Sequence, residues 1–331
     1  MSNQQVILVN RPTGVAQATD FVVRTGRIDE LQDGQLLVRN HFLSVEPAMR
    51  GWIADAGNYS APVAIGEVMR ALASGEVIAS RHPDYQGGDF VMGWFGWQDY
   101  AVVDPGKIVQ RTNRAELSAS LGILGLTGVT AYLALTGVGN PRPGETVVIS
   151  TAAGAVGSTA GQIARILGCR TVGITGGPAK VQMCLDDFGY DAAIDYQGED
   201  VPERIAALCP DGVDVYFDNT SGAISDAVLP HLALGGRVII CGTAAVQRWD
   251  DWPVGPRVER HLLVKRGRME GFVIFDHMDR YGEAVERLRA WLADGRLTHR
   301  EDILEGIHAC PDALAGLYRG ENRGKRLIRL V

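Results

Sequence analysis

Val147-Val148-Ile149-Ser150-Thr151-Ala152-Ala153-Gly154-Ala155-Val156-Gly157-Ser158 joins an apolar, β-branched run to a cluster of small residues. The stretch that follows, Ser158 to Leu167, has the apolar spacing of an amphipathic helix. This order suits the binding of an anion. A strand delivers a tight turn, small side chains let the backbone come close, and the helix start offers free N–H groups and a positive dipole end. Ala152, Gly154 and Gly157 fill the three small positions of a G-x-G-x-x-G pattern, with Ala155 and Val156 between the last two. The same residues would also serve plain helix–strand packing. Their place between a strand and a helix favours the pyrophosphate of a dinucleotide.

The next strand ends Val172-Gly173-Ile174-Thr175 and runs into Gly176-Gly177-Pro178-Ala179-Lys180. A site for NAD carries an acidic residue about twenty positions after the glycine turn, set against the ribose 2′-hydroxyl. No Asp or Glu stands there, and Lys180 falls in the first turn of the next predicted helix. Absent negative charge and added positive charge suit a 2′-phosphate, so NADP(H) is the expected cofactor. Without the missing acid, Lys180 would read as a solvated helix lysine. Asp218-Asn219 falls at the carboxyl end of a predicted strand over 213–217, the end at which open α/β sheets bind ligands. Asn219 can donate and accept hydrogen bonds to a ribose or a carboxamide, or it can cap the following helix.

The elements that must position these residues follow a clear rhythm from about residue 125. Strands are predicted at 170–174, 192–194, 213–217, 237–241 and 271–275, and helices at 179–188, 201–208, 224–232 and 281–293. Such alternation implies a doubly wound parallel sheet with helices on both faces. The first 120 residues differ, with short strand candidates at 6–9, 35–40, 66–69, 75–78, 90–93 and 100–103 separated by Gly, Pro and Asp turns. They suggest a compact, partly open β-barrel. From residue 301 the chain reads as irregular, with a last strand at 325–331 that can rejoin the first domain. The expected division is therefore 1–124 with 301–331 as one domain and 125–300 as an inserted dinucleotide domain of the Rossmann type.

Composition removes several classes. The chain has 331 residues, 46% hydrophobic and 21% charged, with a net charge of −7. That balance argues against a nucleic-acid partner and against an anionic membrane surface. The longest apolar stretch, Leu121 to Leu135, is interrupted by Gly122, Gly125, Thr127, Gly128 and Thr130, so no membrane span is expected. The first residues lack the charge and apolar core of a signal peptide, and a cytoplasmic location is the expectation. Five widely spaced cysteines form no C-x-x-C pair, and seven histidines form no H-x-x-x-H or H-x-E pair. A disulfide framework and a metal site are both disfavoured.

Several segments together carry a family resemblance: Leu43-Ser44-Val45-Glu46-Pro47-Ala48-Met49-Arg50, Gly125-Leu126-Thr127-Gly128-Val129-Thr130-Ala131-Tyr132, the 152–158 turn, Phe217-Asp218-Asn219 and Gly320-Glu321-Asn322-Arg323-Gly324-Lys325. On these the chain resembles, essentially end to end, the zinc-independent medium-chain dehydrogenase/reductases, in the branch of prostaglandin, alkenal double-bond and curcumin reductases. The resemblance implies a GroES-like domain beside the Rossmann domain, bound NADPH, no metal, and a homodimer. It implies cofactor contacts at Ala152, Gly154, Ala155, Val156, Gly157, Thr175, Gly177 and Cys241. Lys180 and Tyr196 match residues at the 2′-phosphate, and Asn219 and Asn322 match residues near the ribose, pyrophosphate or nicotinamide. Tyr196 also reads as a half-buried packing tyrosine, and Asn322 as a turn residue before Gly324.

The reaction implied is reduction of the C=C bond of a small hydrophobic enal or enone. A hydride goes to the β-carbon and hydrogen-bond donors stabilise the enolate oxygen. The branch often has a tyrosine in the loop after Gly242, and residues 243–252 contain none. Gln247, Arg248 or Trp249 could replace it as donor or lid. Tyr59 is the best candidate for a hydroxyl at the substrate, with Arg50, Trp52, Gln247 and Trp249 as further pocket residues. Arg50 reads equally well as half of an ion pair, and Trp52, Trp94, Trp97, Trp249 and Trp252 as scattered core. Two other functions stay open: an NADPH quinone oxidoreductase, and a non-catalytic NADP-binding structural or sensor protein.

Overall fold

The computed structural model describes residues 2–55, 58–246 and 254–331. Their contacts separate two compact units, one built from residues 2–122 and 301–331 and the other from residues 123–246 and 254–300.

The first unit opens with an antiparallel hairpin of β1 (Ser2–Leu8) and β2 (Phe21–Arg27). β3 (Leu36–Ser44) is its central strand and pairs antiparallel with β4 (Ala73–Ser80) and β6 (Tyr100–Val103). β5 (Phe90–Gly93) joins β4 to β7 (Ile108–Thr112). Leu36, Val38 and Leu43 of β3 are buried with Trp97, Phe95 and Met69, and this cluster is the core of the unit. A single helical turn, α1 (Met49–Trp52), follows β3. The strand expected at 66–69 is reduced to one bridge between Ile7 and Val68. Gly66, at φ +93°, turns the chain there before a ladder can form. β2 was not foreseen because Arg24, Thr25 and Arg27 leave it too little apolar alternation.

The second unit begins with α2 (Leu126–Leu133) and then alternates. β8 (Thr146–Ser150), α3 (Ala155–Ile166), β9 (Arg170–Thr175), α4 (Pro178–Asp186) and β10 (Ala192–Asp195) form its first half. α5 (Val201–Leu208), β11 (Val213–Asp218), α6 (Gly222–Val228), β12 (Leu232–Ile240), α7 (Glu259–Lys265), β13 (Arg268–Gly271) and α8 (Tyr281–Ala293) form the second. The six strands are parallel, in the order β10-β9-β8-β11-β12-β13. This is the doubly wound sheet expected, and its order reverses between β8 and β11. Val148, Val172, Ile174, Tyr216 and Val238 are buried beneath the helices, as strands covered on both faces require.

Two boundaries differ from expectation. The last strand is Arg268–Gly271 rather than 271–275, and Ile274–Arg280 forms 3-10 turns. The apolar run Phe272 to Phe275 has strand composition, but Phe272 stacks on His277 at 4.8 Å between ring centroids and folds the chain back. The helix expected over 224–232 ends at Val228, where Leu229–His231, with Pro230, tightens into a 3-10 turn.

The chain then returns to the first unit. β14 (Glu301–Glu305) lies parallel to β15 (Lys325–Arg329), and β15 pairs antiparallel with β3, Leu327 opposite Ser44. Between them, residues expected to be irregular form α9 (Cys310–Tyr318), started by Pro311 and burying Ala313, Leu314 and Ala315. Among the described residues the strand ladder of this unit stays open rather than closing into a barrel. No helix of the described residues is long and apolar enough to cross a membrane. All five cysteines are free. Burial pushes the thiols of Cys169 and Cys209 up to about 11 and that of Cys184 up to about 12.

Candidate functional site

The glycine turn leaves β8 through Thr151, at φ +54°, a left-handed conformation that a β-branched residue rarely adopts. Gly154 N–H donates to the Thr151 carbonyl at 2.8 Å and closes the turn. A Cβ on Gly157 would lie 2.2 Å from the Thr151 carbonyl oxygen, so only glycine lets α3 approach the turn this closely. A Cβ on Gly154 would meet a movable Thr151 methyl at 2.9 Å. Alanine fits at 152 because it faces Gly173, whose own Cβ would come within 2.7 Å of the Ala152 methyl. Tyr190, which sequence reasoning missed, fills the space left by Gly161 and Gly173 and donates its hydroxyl to the Gly157 carbonyl at 2.7 Å.

The N-cap of α3 is Gly154, and no side chain caps the helix. The N–H groups of Ala155, Val156 and Gly157 belong to the first turn and have no acceptor within the helix. They fit the pyrophosphate of a dinucleotide, in a cradle that any side chain at 157 would fill.

The second half of this end is a loop from β9 to α4. Gly177, at φ +82°, is the N-cap of α4, and Lys180 stands half-buried in that helix's first turn. Tyr196 N–H donates to the Thr175 carbonyl at 3.0 Å. The Tyr196 hydroxyl and Gln197 Nε2 each lie 3.0 Å from where a Gly176 Cβ would be. Tyr196 is 45% exposed, so it covers the glycine loop rather than packing in a core. Thr175, Gly177, Lys180 and Tyr196 are thus assembled around one loop. The acid absent from the end of β9 occurs instead at the end of β10. Asp195 Oδ1 accepts from Gly177 N–H at 2.7 Å and from Gln197 N–H at 3.0 Å, holding the loop open at its glycines.

At the carboxyl ends of β8 and β11, Asn219 is tied across the two strands. Its backbone N–H donates to Ser150 Oγ at 2.8 Å and its Nδ2 to the Ser150 carbonyl at 2.7 Å. Because a carbonyl can only accept, the amide orientation is fixed and Oδ1 is turned to act as the acceptor. Asn219 does not cap α6; the N-cap is Ser221. Cys241 is half-buried beside these residues, and burial, with the nearby Asp218 carboxylate, pushes its thiol up to about 12.

Ser221 has φ +59° and ψ −164°, a region otherwise left to glycine. Ser221→Gly is therefore expected to stabilise the protein by about 1 kcal/mol. Denaturant unfolding checks it, and a loss of stability would mean that the Ser221 side chain outweighs the strain.

The remaining candidates belong to the first unit. Arg50 is 3% exposed, and its guanidinium donates to the Gly14 and Pro12 carbonyls. Backbone carbonyls are thus among the acceptors that hold this guanidinium. Trp52 is buried, packs edge-on against Trp94 at 5.5 Å, and its Nε1 has no acceptor among the described residues. Trp97 is core, its Nε1 donating to the Ser44 carbonyl at 2.9 Å. Tyr59 is 53% exposed. Arg11 holds the ends of its segment through the Ile53 and Val63 carbonyls at 2.7 and 2.9 Å. Asn322 Nδ2 donates to the Gly324 carbonyl at 2.9 Å, the geometry of a turn residue. Gln247 and Trp249, with Arg248 and Trp252, lie outside the described residues.

The two segments of the resemblance that lie in this unit meet at Lys325. Its buried Nζ donates to Ser44 Oγ at 2.6 Å, to the Val45 carbonyl at 3.1 Å and to Glu46 Oε1 at 3.3 Å. Burial lowers the pKa of this lysine, and the Glu46 carboxylate opposes that shift. Among the described residues no cluster of three His, Cys, Asp or Glu is disposed to hold a metal ion.

Comparison with known proteins gives the family. The family described as the N-terminal domain of oxidoreductase matches residues 4–110, and the family described as zinc-binding dehydrogenase matches residues 155–290. The chain is 37% identical to the NADPH-dependent curcumin reductase of Escherichia coli (strain K12), over 99% of this chain and 97% of that protein. It is 35% identical to the NADP(+)-dependent 2-alkenal reductase of Nicotiana tabacum, with the same coverage of 99% and 97%. The crystal structure of CurA from Vibrio vulnificus in complex with NADPH superposes with a TM-score of 0.94 at 39% identity, over 99% of each chain. With an uncapped glycine turn, a loop carrying Lys180 and Tyr196, and relatives alike over their whole length, the chain belongs to the zinc-independent medium-chain dehydrogenase/reductases and is an NADP-dependent oxidoreductase.

Proposed function

We propose that this reductase acts on the activated C=C bond of α,β-unsaturated aldehydes and ketones. The observation that carries the reading is the Lys180–Tyr196 loop beside the glycine turn, in a chain alike throughout to reductases named for curcumin and 2-alkenals. When bound, NADPH supplies the hydride. The protein's part is to hold its phosphates at Ala155–Gly157 and its 2′-phosphate at Lys180 and Tyr196. Asn219 Oδ1 and Asn322 serve the ribose or nicotinamide end. Charge that develops on the substrate oxygen needs a hydrogen-bond donor rather than a metal. Tyr59 is the proposed donor and proton source, and Arg50, Trp52, Gln247 and Trp249 are the further residues proposed to serve the substrate. A cytoplasmic homodimer completes the reading, its copies joined along the outer edge of β13.

The test follows NADPH consumption with a 2-alkenal, an aryl enone, a quinone and a saturated aldehyde, each repeated with NADH. Turnover of the alkenal or enone to the saturated product, with NADPH preferred, supports the proposal. Turnover of quinone alone makes the protein a quinone reductase, and tight NADPH binding without turnover makes it a binding protein. Lys180→Ala is expected to weaken NADPH about 10- to 100-fold while leaving NADH unchanged, as loss of a charge-assisted contact to the 2′-phosphate requires. An equal loss for both cofactors removes Lys180 from that role. Tyr59→Phe is expected to lower kcat about 100-fold at unchanged NADPH affinity. Wild-type kcat in that variant would rule Tyr59 out as the proton source.

A further inference from the structure

Asp218 ends β11 beside β8, at the point where strand order reverses, the place at which a dinucleotide crosses a doubly wound sheet. It is 1% exposed and forms no ion pair among the described residues. Its oxygens instead collect donors. Oδ1 accepts from Thr220 N–H and Ser221 N–H, both at 2.9 Å, from Tyr216 OH at 3.1 Å, from Thr220 Oγ1 at 3.2 Å and from Ser150 Oγ at 3.3 Å. Oδ2 accepts a short hydrogen bond from Ser225 Oγ. Convergent donors of this kind call for an acceptor-only carboxylate. A buried charge without a cation is expensive to keep for structure alone, because an uncharged acceptor would satisfy the two backbone N–H groups. Its field reaches the neighbouring Cys241 thiol, whose pKa it helps to raise.

We propose that Asp218 is a positioning residue that acts electrostatically, favouring the oxidised, cationic nicotinamide over the neutral reduced ring and so promoting hydride donation. In that step the C–H bond of the dihydronicotinamide breaks with its electron pair. The pair forms the new C–H bond on the acceptor, and the ring gains one positive charge. A fixed negative charge in a water-poor site lowers the free energy of the cationic form and leaves the neutral form nearly untouched. Asp218 also anchors the acceptor beside it, since Ser150 Oγ donates to Asp218 and accepts from Asn219 N–H. The inference rests on the NADP chemistry and not on the enone substrate.

The test is equilibrium binding of NADP+, NADPH and 2′,5′-ADP to the full chain, with no substrate present. In Asp218→Asn the ratio Kd(NADP+)/Kd(NADPH) is expected to rise about tenfold, while 2′,5′-ADP, which has no nicotinamide, binds within about twofold of wild type. A structural role would weaken all three ligands together, and that result, or an unchanged ratio, overturns the proposal. Ser225→Ala decides the matter even if Asp218→Asn does not fold. It keeps the charge but removes one donor that shares it, so the ratio is expected to fall about two- to threefold. An unchanged or rising ratio in Ser225→Ala overturns the proposal equally.

Discussion

Gly157→Ala is expected to abolish measurable NADPH binding and to destabilise the second unit by about 3 kcal/mol, the upper range for overpacking. The added methyl would lie 2.2 Å from the Thr151 carbonyl oxygen, 2.8 Å from its carbon and 3.0 Å from Ala152 Cα. All three are backbone atoms, so no rotamer change relieves the clash. α3 must move away from β8, and its first-turn N–H groups move with it. Tyr190 then loses the Gly157 carbonyl to which it donates at 2.7 Å. Gly154→Ala is the milder comparison, because its methyl meets the Thr151 methyl at 2.9 Å and the Thr151 carbonyl oxygen only at 3.2 Å, and the backbone is at φ −82°. Thermal unfolding and NADPH titration of both variants separate the cases. A stable, cofactor-binding Gly157→Ala protein would show that the helix can shift without harm.

Lys325→Met is expected to cost about 3–5 kcal/mol, the range for removing one member of a buried pair. Lys325 is 5% exposed and its partner Glu46 lies at 3.3 Å, mostly out of solvent. Without the ammonium, Ser44 Oγ, the Val45 carbonyl and Glu46 lose a shared donor, and the carboxylate is left buried without its cation. Glu46→Gln in the Lys325→Met background should therefore recover part of the loss. Additive losses in that double mutant, measured by denaturant unfolding, would argue that the two groups are not coupled.

The parallel sheet was legible because its strands are covered on both faces and so read as apolar runs between helices, as Val147–Ile149 and Val215–Phe217 do. The first unit was harder to read. β2 has only half a buried face, and α9 is too short, with Pro311 and Gly316, to show a helical period. The close approach at Gly157 was legible from its spacing, and the place of Lys180 in the first turn of α4 from the order of residues after β9. Tyr190 was not, because nothing local links it to Gly161 and Gly173, whose missing side chains make its pocket. Asp218 was read only as the neighbour of Asn219, since six donors converging on one carboxylate come from β8, β11, α6 and the turn between them. The Gly14 and Pro12 carbonyls that Arg50 takes were not legible, because a backbone acceptor leaves no residue type in the sequence.

β15 pairs with β3, and Lys325 reaches Ser44 across 281 residues of sequence. During synthesis the nascent chain emerges from the amino end, so the first unit has to wait. Its sheet lacks β14 and β15, and Glu46 lacks its cation, until residues 301–329 have left the ribosome. The second unit has every strand it needs by residue 300 and can fold while the chain is still tethered. The order of maturation is thus the reverse of the order of translation at the start of the gene: the nucleotide half first, the amino-terminal half last. A premature stop a few residues short of Lys325 would release a protein with a finished cofactor domain and an amino-terminal sheet held open at β3, ready to pair with another chain.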